Sequence, residues 1–161
     1  MEDSNLQLAT FGAGCFWGVE ETFRTTKGVK ETAVGYMGGE LKNPTYADVC
    51  SDKTGHAEVV QMKFDPKEVS FGDLLVIFFK THDPTTQNRQ GLDVGTQYRS
   101  VVFYHDDVQK EEAEIYKKEL EEKKRFEKQI VTQIVPTQTF YKAEDYHQQY
   151  LAKRGLSTCH I

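Results

Sequence analysis

The chain has 161 residues, a size that fits one domain (residues 1–161), and its 38% hydrophobic and 12% aromatic content supports a core without metals or disulfides. A formal net charge of -5 argues against a nucleic-acid binder, which would carry a basic stripe. The longest apolar run, Leu74 to Phe79, is too short to span a membrane, and the acidic, polar start Met1 to Asn5 is not that of a signal peptide, so the expected compartment is the reducing cytoplasm.

Leu6 to Phe11 alternates apolar and polar residues as a short strand does, and Gly12-Ala13-Gly14 ends it. Phe16, Val19 and Phe23 recur at helical spacing, which predicts a helix from near Cys15 to Thr26. Val29 to Tyr36 reads as a second strand, Gly38 through Pro44 as a loop, and Ala57 to Phe64 as a third strand. Ser70 with Asp73 forms a capping box that opens a helix to about His82. Residues 83–97 read as a long polar loop without regular pattern, a length that is often functional. Tyr98 to Tyr104 is a predicted strand, Asp106 to Lys128 a charged helix with a solvated face, and Ile130 to Val135 another strand. Ala143 to Arg154 reads as a final helix and Gly155 to Ile161 as a flexible tail.

Strands alternate with helices, with one direct strand–loop–strand link near residues 36–57. That order predicts an α+β fold: a two-layer α/β sandwich with a mixed sheet, a split βαβ (ferredoxin-like) arrangement and a long C-terminal segment.

Three cysteines, Cys15, Cys50 and Cys159, do not make a disulfide framework. With no CxxC and no close Cys/His cluster, they do not read as a metal site either, and no cofactor is expected. Cys15 stands where a strand becomes a helix, among unpaired N–H groups and the positive end of the helix dipole. Those conditions favour the thiolate, the nucleophilic form. Phe16 and Trp17 would place apolar surface beside the sulfur, suited to a group as small as a methyl. Position alone leaves the bland reading open: a small buried cysteine next to a core tryptophan.

The stretch Gly14-Cys15-Phe16-Trp17-Gly18 resembles the signature of the type A peptide methionine sulfoxide reductases. Gly35-Tyr36-Met37-Gly38-Gly39, Asn43-Pro44-Thr45-Tyr46, Thr54-Gly55-His56-Ala57-Glu58, His82-Asp83-Pro84-Thr85, Asn88 to Ser100 and Ala143 to Gln148 resemble the same family, in family order and over nearly the whole chain. The resemblance implies reduction of the S epimer of methionine sulfoxide, free or in proteins, to methionine. It makes Cys15 the nucleophile that ends as a sulfenic acid, and Glu58 the proton donor. A carboxyl in a partly apolar pocket keeps its proton near neutrality; without the motif, Glu58 would read as a surface residue at a strand start. Tyr46 and Tyr98 match the tyrosines that hold the sulfoxide oxygen, Asp93 matches an organising aspartate, and Phe16 and Trp17 match the methyl pocket. His56 would share a strand face with Glu58 and tune it, or serve as an ordinary polar strand residue.

Resetting the sulfenic acid calls for a second thiol and then a thioredoxin. The resemblance favours Cys159, in the tail, although this tail lacks the glycine-rich, two-cysteine form of some members. Cys50 is the other candidate; its apolar neighbour Val49 suggests a buried structural thiol. A small acidic enzyme acting on exposed methionines needs no oligomer, so a monomer is expected. Two rival readings need the six further stretches to be coincidence: a cysteine-nucleophile hydrolase, and a non-enzymatic peptide-binding module using Phe16 and Trp17 as an exposed anchor.

Overall fold

A computed structural model describes residues 5–156 of the chain. In chain order the elements are β1 (Gln7–Ala13), α1 (Phe16–Arg24), β2 (Val29–Met37), α2 (Tyr46–Cys50), β3 (Ala57–Phe64), α3 (Phe71–Lys80), β4 (Arg89–Gln90), β5 (Asp93–Val94), β6 (Ser100–Tyr104), α4 (Asp107–Glu122), β7 (Gln133–Pro136), β8 (Tyr141–Lys142) and α5 (Tyr150–Lys153). The main sheet runs β7-β6-β1-β3-β2-β8. β1 is antiparallel to both β3 and β6, and β2 is antiparallel to β3 and β8. The units β1–α1–β2 and β3–α3–β6 therefore each straddle one intervening strand, the split βαβ arrangement expected. β6 and β7 pair in parallel across α4, which makes the sheet mixed.

Side-chain alternation assigns the two faces. Ala9, Phe11, Val60, Met62, Phe64 and Val102 join Phe16 and Phe23 of α1 and Leu74, Leu75 and Phe78 of α3 in the larger core. Ala57, Val59, Val101 and Phe103 face the other way, against Val135 and Phe140. Ser70 and Asp73 close the capping box of α3 reciprocally.

Phe11 anchors the helical face. It is fully buried and stacks on Phe23, Phe71 and Phe78 with ring centroids 5.4, 5.9 and 4.9 Å away. Phe11→Ala should cost about 3–5 kcal/mol, since the cavity lies between two helices and a sheet that cannot all close on it. Urea unfolding with the slope unchanged is the check.

Several expectations are corrected. The strand–loop–strand link holds α2, a helix too short for periodicity but opened by a capping box between Thr45 and Asp48. The patternless loop contains the hairpin β4–β5. Tyr98 lies in a 3-10 turn, Thr96–Tyr98, before β6 starts. α4 stops at Glu122, and Lys124 takes a left-handed φ of 51°. The strand expected from Ile130 begins only at Gln133.

The final helix is replaced by β8, a 3-10 turn (Asp145–His147) and the four-residue α5. The Gln148 amide is the reason. It accepts from Val34 N–H and donates to the Val34 and Ala143 carbonyls, all at 2.9–3.0 Å, and so occupies the edge of β2. Gln149 then turns left-handed at φ 52°. A continuous helix would tear both features away.

Candidate active site

The turn after β1 sets Cys15. Gly14 has a φ of +101°, and a Cβ there would fall 2.9 Å from Gln90 Cγ on the neighbouring hairpin. Glycine thus lets β1 pass straight into α1, with the partly exposed Cys15 as N-cap residue. The first turn of α1 has no acidic residue of its own, so no side chain of the helix offsets its amide dipoles at Cys15.

Glu58 reaches this helix end from β3. It shares the inward face of Val60 and Met62, and its Oε1 accepts from Phe16 N–H at 3.2 Å. The side chain is 1% exposed, which removes the surface reading. Burial pushes its carboxyl up to about 8; Asp93 adds to this, and the Phe16 amide opposes it. Glu58 is therefore mostly a neutral acid at pH 7. Its Oε2 has no hydrogen-bond partner among the described residues. His56 does not tune it. The His56 ring accepts from Gly39 N–H at 2.9 Å and donates to the Leu41 carbonyl at 2.7 Å, pinning the loop after β2.

Phe16 is buried and Trp17 half-buried. The Phe16 ring lies 5.7 Å from Tyr36, 6.5 Å from Tyr46 and 5.2 Å from His147. Trp17 donates its indole N–H to His147 Nδ1 at 2.9 Å and stacks on Tyr150 at 3.8 Å with the planes 8° apart. A tryptophan held on one face and at its N–H is not a projecting anchor, which removes the ground for the binding-module reading.

Tyr46 and Tyr98 approach from α2 and from the turn before β6. Burial pushes both phenols up, and Glu58 contributes to each. Both remain neutral O–H donors across the physiological range. Asp93 and Cys15 also act on Tyr98. The Asp52 carboxylate, just after α2, ties the two segments that carry these tyrosines together, since its Oδ1 accepts from Thr96 N–H at 2.8 Å and from the Thr96 hydroxyl. Cys50 is exposed, not the buried structural thiol expected, because α2 turns Val49 into the core and packs Tyr46 against it while Cys50 faces out.

Two partners carried no role in the sequence reading. Glu144 accepts from the Tyr36 hydroxyl at 3.0 Å and from Tyr46 N–H at 2.9 Å, and so fixes α2 against β2. Burial pushes its carboxyl up, but the Tyr46 amide and the Tyr36 hydroxyl outweigh that and hold it below the usual range. His147 is fully buried, and burial lowers its basicity, so it stays neutral and accepts the Trp17 proton. The only signal for either was membership of the stretch Ala143 to Gln148; the contacts themselves join residues about a hundred positions apart.

A cysteine at a helix N-terminus, a buried neutral carboxylic acid and two phenol donors form a set that can attack an electrophilic centre and protonate its oxygen. The sequence profile of the peptide methionine sulfoxide reductases matches residues 7–161. The chain belongs to the peptide methionine sulfoxide reductase family. It is 61% identical over 153 residues to the peptide methionine sulfoxide reductase MsrA of Acidobacterium capsulatum, covering 95% of this chain and 98% of that protein. Reduced Mxr1 from Saccharomyces cerevisiae superposes with a TM-score of 0.88 at 39% identity, covering 94% of this chain and 87% of that one. Mxr1 in complex with Trx2 gives a TM-score of 0.65 at 30% identity, covering 91% and 86%.

Of the site residues expected for this reductase family, the structure gathers Cys15, Phe16, Trp17, Tyr46, Glu58, Asp93 and Tyr98 at one end of the sheet. Cys159 lies outside the described residues. Among the described residues no cluster of three His, Cys, Asp or Glu side chains is arranged to hold a metal. No described helix is long and apolar enough to cross a membrane.

Proposed function

We propose that this reductase acts on the S epimer of methionine sulfoxide, free or within proteins, with Cys15 as nucleophile and Glu58 as proton donor. The observation that carries the reading is Glu58, a buried acid held against the amide next to Cys15, with one oxygen unpartnered among the described residues. The Cys15 thiolate attacks the sulfoxide sulfur while Glu58 protonates the oxygen, and Tyr46 and Tyr98 donate to it. Phe16 and Trp17 border the methyl, and Asp93 supports the charge state of Glu58. In net terms the oxygen passes from the substrate sulfur to Cys15, leaving methionine and a sulfenic acid. Cys159 then displaces water from the sulfenic acid and forms a disulfide with Cys15. A thioredoxin dithiol reduces that disulfide, and the complex of yeast Mxr1 with Trx2 supports this step. Residues 1–161 act as one catalytic domain, and the compartment proposed is the cytoplasm.

The test mixes fully reduced protein, without air or reductant, with one equivalent of the S epimer. Released methionine, the loss of two thiols and a Cys15–Cys159 peptide are expected. A Cys15–Cys50 peptide would keep the reaction and replace the resolving residue. Absence of methionine would overturn the proposal.

A further inference from the structure

We propose that Glu20 is a positioning residue for the methyl pocket, a buried latch on α1 that holds Tyr150 flat on Trp17; this rests on the function proposed above. Among the described residues two carboxyl side chains are buried at 1% exposure, Glu58 and Glu20. The reaction uses the first. Glu20 takes no part in it, yet both its oxygens are engaged. Oε1 accepts from Gln149 N–H and Oε2 from the Thr32 hydroxyl, each at 2.7 Å.

Trp17 and Glu20 are three residues apart on α1 and so share a helix face. Tyr150 follows Gln149 directly, so the bond that fixes the Gln149 amide also fixes where the Tyr150 ring starts. α5 cannot do this alone. Four residues are too few to hold a helix together, and this one has no side-chain cap. Gln149 also takes a left-handed backbone, φ 52° and ψ 42°, which is unfavourable for a residue with a Cβ and needs an outside hold. Leu151 is buried and sets the depth of the segment, while Glu20 sets its direction. Tyr150 then lies between the indole of Trp17, 3.8 Å away, and the Arg154 guanidinium, 4.0 Å from its centroid. With Tyr150 on one face and His147 on its N–H, the indole offers its remaining face to a ligand. Freed of Tyr150, the ring would swing and the apolar wall beside the methyl would loosen.

Trp17 is the only tryptophan in the chain, so its fluorescence reports this stack without reference to turnover. The experiment reads that emission in the reduced protein. It also reads the half-saturating concentration of the S epimer and the limiting rate in single turnovers. The variants are Glu20→Ala, Glu20→Asp, Glu20→Gln, Tyr150→Ala and the Glu20→Ala/Tyr150→Ala double. Glu20→Ala should shift emission to the red and raise half-saturation about five-fold, the worth of one hydrogen bond. The limiting rate should stay within about two-fold, because the wall touches ground and transition states alike. Glu20→Asp, one methylene short of Gln149, should do the same, and it serves if the alanine variant does not fold. Glu20→Gln should stay within about two-fold of the natural values. Its oxygen still accepts from Gln149, and its amide N–H donates to the Thr32 hydroxyl, which accepts as well as donates. In Tyr150→Ala, which should show the same red shift, removing Glu20 should raise half-saturation no further, its route to Trp17 being gone. A side chain that only stabilised the fold would lower the melting temperature and leave emission and half-saturation unchanged in the folded protein. Natural emission and half-saturation in Glu20→Asp, a failed rescue by glutamine, or an equal further loss in the Tyr150→Ala background would each overturn the proposal. Failure of the reductase reading would look different: the unsubstituted protein would release no methionine, while its emission still responded to Glu20.

Discussion

Replacing Cys15 by serine should abolish methionine release while leaving the fold intact. An alkoxide is out of reach near neutral pH where a thiolate is accessible, so the nucleophile is lost, not weakened. The fold should not suffer. Cys15 is the N-cap residue of α1 and makes no capping bond through its side chain, whereas serine is among the preferred N-cap residues. Thermal denaturation should show a melting temperature equal to or above that of the natural protein, by at most about 1 kcal/mol of stability. Activity and stability then move in different directions, and loss of turnover cannot be blamed on unfolding. Methionine release by the Cys15→Ser protein at more than a trace rate would place the nucleophile elsewhere.

Glu58→Gln should lower the single-turnover rate by about 10²–10⁴-fold, the usual contribution of a positioned general acid. Glutamine keeps an oxygen to accept the Phe16 amide, so the geometry is preserved and the acidic proton is what disappears. The natural enzyme should lose rate as pH rises through about 8, where Glu58 ionises. The Gln variant should lack that limb. Stability supplies an independent check. Between the ordinary glutamate range and pH 8 the folded state holds the Glu58 proton more tightly than the unfolded chain does. The native state therefore binds more protons across that window, and stability falls as pH rises through it. Glu58→Gln removes the loss, so the variant should melt above the natural protein at pH 8.5 and lose that advantage by pH 4.5. A variant less stable at both pH values would mean that the Glu58 carboxyl contributes more to packing than its burial costs.

The central β1–α1–β2–β3–α3–β6 unit was readable because each strand buries one face and each helix one stripe, which leaves alternation and helical spacing in the letters. The pieces that were not readable are held by contacts instead of patterns. α2 is five residues long, and the strands of the β4–β5 hairpin are two residues each, too short for any period to show. The segment after Ala143 has helical spacing, but the Gln148 side chain bonds to Val34 and the chain follows it. At the site, Cys15 and its aromatic neighbours stood out locally. Glu58 did not, since a glutamate at a strand start is usually wet, and only the motif distinguished it. Cys50 was misjudged from Val49, yet adjacent helical residues point about 100° apart, so one buries while the next does not.

Glu144 also gives the site an order of failure. The first amide of α2 is tethered to β2 through one carboxylate, and that carboxylate sits between β8 and the Asp145–His147 turn at the edge of the sheet. Edge segments open at lower free energy than the strands they cover. When this margin peels away, Tyr46 loses its tether and Trp17 loses His147 in one event, while the four central strands stay paired. The enzyme should therefore become inactive below the temperature at which it melts, and recover on cooling without having to refold.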